Sequence, residues 1–328
     1  MIRGRVMERN KLIKNNLYDR ISGFRELPLL VINIVIVIAL IFLSPHFLNP
    51  QNLIAVLMGA SFDAIVAIGM TLLLISGGFD LSVGSVVGFG GVMAGKMLVL
   101  GQSVGVAVMV GLLSGAFVGF VNGYIITKIK VNPLITTLAM MQIVRGIIYI
   151  ITKALGIPLL PDNFNVIAQK QFYGIQTPVF VMIAFIILAE IFFRKSIFFK
   201  QYYFIGGNEE SARLSGIKVD LLRWSTYIIS GTLAALVGVL MASRMGGAQS
   251  AAGTGLELRV ITACVIGGCS LGGGTGSVLG SFLGVLLMAL VVNAFNLLGV
   301  SVYWQSTAMG SILLAAVLVD VLRRRRME

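Results

Sequence analysis

The chain has 328 residues, 57% of them hydrophobic and 12% charged, and a mean hydropathy of +0.97. That balance excludes a soluble globular domain and fits a polytopic membrane protein; the 39 glycines suit helices that pack closely in lipid. The net charge of +12 is concentrated at the termini and in selected loops, as membrane topology is written, so no nucleic-acid partner is expected.

Residues 1–27 form a basic tail, expected in the cytoplasm. The tail is too long and mixed for a signal-peptide n-region. No small-residue cleavage site follows the first apolar run, so the first span is expected to remain as an anchor. A permease-like transmembrane domain, 28–322, follows. Its ten drawable spans are approximately 28–44, 52–76, 81–100, 103–128, 133–152, 178–194, 222–243, 256–271, 276–297 and 303–322. A second basic tail, 323–328, is also expected inside. The expected fold is an all-α, glycine-rich bundle of about ten transmembrane helices with both termini cytoplasmic.

Charge supports an even number of spans. With ten, Arg3, Arg5, Arg9, Lys11, Lys14, Arg20, Arg25, Lys128 and Lys130 fall inside. So do Arg194, Lys195, Lys200, Arg213, Lys218, Arg223 and the run Arg323 to Arg326. Outside loops hold only Lys153, Lys170 and Arg244. The longest outside loop, 153–177, carries prolines and room for a short helix.

A weak internal repeat pairs Gly77-Gly78, Leu81 and Gly84-Ser85-Val86 with Gly267-Gly268, Leu271 and Gly276-Ser277-Val278. Both copies sit at inside turns, so the repeat is parallel. Asp80 is placed to cap the third span, with Ser82 and Ser85 adding local hydrogen bonds; the sharper alternative is a contact to substrate or partner. Neither glycine cluster supplies the lysine of a phosphate loop, so ATP is not bound here in that way.

Two ionisable residues stand mid-span, Asp63 and Arg145. They either pair with each other or face a wet cavity. Glu190, Glu257 and Arg259 lie near span edges and are expected to reach water. The uncharged polar residues Asn122, Thr136, Thr137, Gln142, Asn293, Asn296 and Gln305 suit a neutral polyol better than an ion. Of these, Asn293 and Asn296 share one helix face and are the favoured substrate-path residues, with Gln142, Thr136 and Asn122 beside them. His46 is the single histidine, and Cys264 and Cys269 are read as buried thiols. No metal, cofactor or catalytic cluster is expected.

The cytoplasmic loop 194–223 is a charged island. Asn208 can cap a short helix, Glu209 and Glu210 sit in its first turn, and Gly216 stops it. Such a helix is marginal alone and must dock on its own bundle or on another protein.

Three segments carry a resemblance. Gly78-Phe79-Asp80-Leu81-Ser82-Val83-Gly84-Ser85, Leu134-Ile135-Thr136-Thr137-Leu138 and Ile205-Gly206-Gly207-Asn208-Glu209-Glu210-Ser211-Ala212-Arg213 strongly resemble permease subunits of ribose-type bacterial ABC sugar importers. The match runs from about residue 45 onward. The resemblance implies a non-enzymatic subunit importing a monosaccharide across the cytoplasmic membrane. A pentose such as L-arabinose is favoured, with ribose, xylose or a hexose as alternatives. It implies cytoplasmic ATPase subunits, an extracytoplasmic sugar-binding protein and a second permease subunit, all working in membrane lipid. Gly206, Gly207, Asn208, Glu209, Glu210 and Arg213 would then form the ATPase-coupling element. Two departures stand out: Phe198-Phe199-Lys200 replaces the usual Phe-Gly-Arg, and a basic residue common near Met309 is absent. The rival reading is a self-contained ion-coupled transporter using Asp63 and Arg145.

Overall fold

The computed structural model describes residues 26–325, so the tail residues 1–25 and 326–328 lie outside it. It is a helical bundle. Four helices come first: α1 (Leu27–Leu43), α2 (Pro50–Ile75), α3 (Val83–Val99) and α4 (Val104–Tyr124), the last extended by a π-helical turn at Ile125–Ile129. Next come α5 (Pro133–Thr152), the short α6 (Asp162–Gln169), a two-stranded hairpin (β1 Gln171–Phe172, β2 Ile175–Gln176) and α7 (Thr177–Lys195). The island folds as α8 (Ile197–Gly207) and α9 (Glu209–Leu214). The chain then runs through α10 (Val219–Met245), α11 (Leu256–Ile266), α12 (Val278–Leu297) and α13 (Val302–Arg325).

Among the described residues, seven helices are long and apolar enough to cross a membrane. The expected ten is not reproduced by length. Helices α1 and α3 have 17 residues each, just under the ~20 of a full crossing. The span expected at 256–271 is an 11-residue helix, about 16 Å long at 1.5 Å per residue. It ends at Ile266 because Gly267 and Gly268 follow, Gly268 with φ +93°.

Helices α2 and α10 form the centre, with about two-thirds of each apolar stretch buried. A helix apolar on all sides needs neighbours or lipid all round. Helices α4, α5 and α7 ring the centre and turn most of their apolar surface outward, as Phe117, Ile150 and Ile187 show. Small residues let the central helices touch. Gly115 on α4 faces Gly231 on α10, and a Cβ on either would fall on the other's carbonyl oxygen.

Of the repeat, the two glycine turns share a geometry, shifted by one residue, while Ser277 caps α12 and Ser85 lies inside α3. Helix α2 ends with Gly77 N–H donating to the Leu74 carbonyl and Gly78 N–H to that of Leu73, at 3.0 and 2.9 Å. Helix α11 ends alike, with Gly268 N–H to Val265 and Cys269 N–H to Cys264, at 3.0 and 2.9 Å. Gly77 therefore matches Gly268, not Gly267. The two turns lie side by side, since Gly274 N–H donates to the Ile75 carbonyl at 2.9 Å. Cys264 and Cys269 are free and buried beside Thr71 and Ser281, whose hydroxyls bond at 2.6 Å.

The loop expected at 153–177 contains α6 and the hairpin. It is stitched to the α10–α11 connection by reciprocal bonds between Ile157 and Ala248 at 2.8 Å.

Gly231→Ala should lower the unfolding midpoint in detergent by the equivalent of about 1–3 kcal/mol, the usual cost of overpacking. Gly146→Ala, where a Cβ meets nothing within 4 Å, should leave the midpoint unchanged or raise it.

Candidate coupling surface and translocation cavity

The island folds as its sequence dictates. The Asn208 side chain accepts from Ser211 N–H at 2.9 Å and caps α9. Glu209 and Glu210 occupy the first turn. Gly216, at φ +80°, stops the helix, and Ile217 N–H closes back on the Ala212 carbonyl at 3.1 Å.

The two glutamates differ. Glu209 is held by Arg213 at 2.8 Å and Arg223 at 2.9 Å. Asp220 extends the chain of charges, with Arg213 at 2.6 Å and Lys130 at 2.9 Å. Burial works against ionisation of Glu209, yet Arg213 and Arg223 together outweigh it and hold its carboxyl below the usual range. Each of these exposed pairs contributes only ~0–1 kcal/mol, so the network orients α9 more than it stabilises the fold. Glu210 and Leu214 face outward, Leu214 at 84% exposure.

Gly206 and Gly207 do not simply present a surface. Gly206 sits where α8 crosses the end of α2, and a Cβ there would fall on the Ile75 carbonyl oxygen. Gly274 packs against Gly207, and Tyr203 donates to the Gly276 carbonyl at 3.0 Å. The unusual Phe198-Phe199 joins an aromatic stack with Phe193 and Tyr202 at centroid distances of 5.1 to 5.8 Å. The island therefore docks on its own bundle through α8 and leaves one face of α9 open.

Asp80 is not the cap of α3; Ser82 holds that position. Asp80 Oδ1 instead accepts from Ser82 N–H at 2.7 Å and Ser82 Oγ at 2.6 Å, closing the preceding turn. Burial pushes its carboxyl above the ordinary value, against the opposing pull of Ser82 and Asn122. Asn122 donates to Ser82 Oγ at 3.0 Å, so it belongs to this turn and not to a path. Ser85 reaches across to the Met141 carbonyl on α5 at 2.9 Å instead of bonding locally.

A cavity of about 630 Å³ opens between α2, α11, α12 and α13. Each helix presents residues three or four apart: Gly59 and Asp63, then Gly255, Arg259 and Thr262, then Ala289, Asn293 and Asn296, then Gln305 and Met309. Asn293 and Asn52 exchange amide hydrogen bonds of 2.6 and 3.2 Å. Gln305 Nε2 donates to Asn296 Oδ1 at 3.0 Å. The favoured asparagine pair thus lines the cavity. Thr136 and Gln142 do not. The Thr136 hydroxyl is satisfied by the Asn132 carbonyl one turn back at 3.1 Å, and Gln142 lies on the exposed side of α5.

Asp63 and Arg145 do not pair. Asp63 is bound in fork geometry by Arg259, Nε to Oδ2 and the second nitrogen to Oδ1, both at 3.1 Å. Arg145 donates to the Ser250 and Ala252 carbonyls at 2.8 and 3.0 Å and to Gly84 at 3.4 Å. Arg259 was expected to reach water at a span edge; it is the cavity's cation. Glu190 pairs with Arg194 one turn on. Thr254, Arg259 and Thr262 were missed as lining residues; only Arg259 and Thr262, three apart on α11, carry a helical spacing.

With this geometry in place, the comparisons decide the class. A family model described as "Branched-chain amino acid transport system / permease component" matches residues 52–322. The L-arabinose transport system permease protein of Escherichia coli (strain K12) is 39% identical over 292 residues, covering 89% of both chains. The ribose import permease proteins of Bacillus subtilis (strain 168) and E. coli (strain K12) are 38% and 37% identical. They cover 87% and 88% of this chain and 89% and 92% of their own. No solved structure matches. The chain belongs to this permease family. It is a permease of the arabinose and ribose ABC-importer type, a multi-pass protein of the bacterial cytoplasmic membrane.

Arg145→Leu should leave two or three carbonyls without their donor, at about 1–3 kcal/mol each, and sharply reduce folded yield. Arg145→Lys should recover only part of the loss, because an ammonium lacks the planar fork. Thermal unfolding in detergent reads both.

Proposed function

We propose that the chain imports a neutral pentose through the cavity between α2, α11, α12 and α13, and that a separate cytoplasmic ATPase docked on α9 supplies the energy. The observation that supports this best is the joint presence of a capped helix with an open face and a roomy cavity with neutral polar walls. A volume of about 630 Å³ falls within the roughly 300–1,000 Å³ of small-molecule sites. The ion-coupled alternative loses its basis. Asp63 is engaged by Arg259 and Arg145 by backbone carbonyls, so neither stands as a free coupling group.

The assembly proposed is two permease subunits, identical or different, with two ATPases below and a sugar-binding protein outside. The segment 153–177, read as external, is the proposed contact with that binding protein. The identities of 39%, 38% and 37% do not separate arabinose from ribose, so a pentose is the class supported. Asn293 and Asn296 are the proposed path residues on α12. Asn208, Glu210 and the open face of α9 form the proposed docking surface; Gly206, Glu209 and Arg213 hold that surface in place.

In proteoliposomes holding the whole complex, an ionophore should leave uptake intact and a non-hydrolysable nucleotide should stop it. Accumulation by the isolated chain on a proton or sodium gradient would reverse the assignment. Within the same system, Glu210→Lys with Leu214→Asp should abolish stimulated ATPase activity and uptake while the permease still folds. Glu209→Gln, which loosens only the internal network, should reduce coupling less. Equal losses in both variants would mean that α9 acts through the bundle and not through its open face.

A further inference from the structure

We propose that the Asp63–Arg259 pair is a hydroxyl-binding subsite that engages adjacent hydroxyls of a neutral monosaccharide in the cavity. The carboxylate accepts from one hydroxyl and the guanidinium donates to the next. This rests on the importer reading above and assigns it a specificity element.

The pair stands on the cavity wall, with Asp63 close to the middle of α2. It is open to the cavity: the Arg259 side chain is 36% exposed and that of Asp63 18%. A tie meant only to join helices gains most when sealed from competitors, and this one is not sealed. Among the described residues no third side chain hydrogen-bonds to either group. Arg259 Nη1, which lies outside the fork, and the remaining lone pairs of Asp63 are therefore available to a solute. The pair sums to zero charge, so an anionic sugar gains from Arg259 what it loses to Asp63. A neutral vicinal diol uses both. Thr254 borders the same cavity, and Leu258 and Val292 offer apolar surface to the sugar's C–H groups.

The test uses the full complex with its ATPase and binding protein, in a Cys264→Ala, Cys269→Ala background. Thr254→Cys is labelled with a water-soluble maleimide in each nucleotide state. L-arabinose or D-ribose should slow labelling. Asp63→Asn and Arg259→Lys should each remove the protection. Each should also lower the maximal uptake rate about tenfold or more, the scale of one lost charge-assisted hydrogen bond. Half-saturation, set by the binding protein, should stay put, and stimulated ATPase activity should persist. The exchange Asp63→Arg with Arg259→Asp rebuilds the helix tie but reverses donor and acceptor. It should restore the unfolding midpoint without restoring uptake. Full uptake in the exchanged protein, or no protection by either pentose in any nucleotide state, would overturn the subsite. If the unaltered complex imports neither pentose yet both protect Thr254→Cys, the importer reading fails and the subsite stands.

Discussion

The Arg145 guanidinium is the contact on which the rest of the bundle depends. A bilayer core offers no water to backbone carbonyls, so non-helical chain can sit at membrane depth only if protein satisfies it. The connection from α10 to α11 is non-helical chain packed beside α5, a helix long and apolar enough to span. Its Ser250 and Ala252 carbonyls are taken by Arg145, which lies past the middle of α5. The Ile157–Ala248 bridge secures the same connection from the other side. Because the connection penetrates this far, α11 needs only 11 residues. A half-length helix exposes its first turn within the bundle, and that places Thr254, Gly255 and Arg259 on the cavity wall.

The end of the bundle that carries α8 is organised around contacts too close for side chains. Gly206 lies on the end of α2, and Gly274 on Gly207. The Gly274 N–H bonds to Ile75, and Tyr203 bonds to Gly276 just before α12 begins. Helix α8, which leads into the proposed docking helix α9, therefore bears on the end of α2 and on the loop that opens α12, two of the four helices that wall the cavity. Packed contacts of this kind shift between discrete arrangements instead of deforming smoothly. A displacement of α9 has a short route to Asp63 on one wall and Asn293 on the other.

Local features of this fold were legible in the sequence; long-range partnerships were not. Asn208, Glu209 and Gly216 act within one or two helical turns, and their cap, first turn and stop are as read. The turns at Gly77 and Gly268 were found for the same reason, though glycine pairs alone misplaced the register by one residue. Asp63 and Arg259 are 196 positions apart, and no periodicity links them. Composition likewise could not show that Thr136 spends its hydroxyl on its own helix. The span drawn over 256–271 runs past the end of α11 at Ile266, since apolar loop and apolar helix read alike.

The cavity's polar groups come already paired, and this sets how tightly it can hold a solute. Asn293 is matched by Asn52, Asn296 by Gln305 and Asp63 by Arg259. A sugar hydroxyl entering the cavity exchanges its water bonds for protein bonds and, where it competes, displaces a protein pair as well. The net gain per hydrogen bond on such an exchange is about 0.5–1.5 kcal/mol at best, and less when an existing pair must open. Pairing in the empty state also spares the bundle the cost of unsatisfied polar groups at membrane depth. On the path proposed above, the same arrangement keeps the empty permease stable and its hold on a sugar weak. A conduit fed by a tight-binding partner needs both properties, because a solute bound strongly midway would not leave.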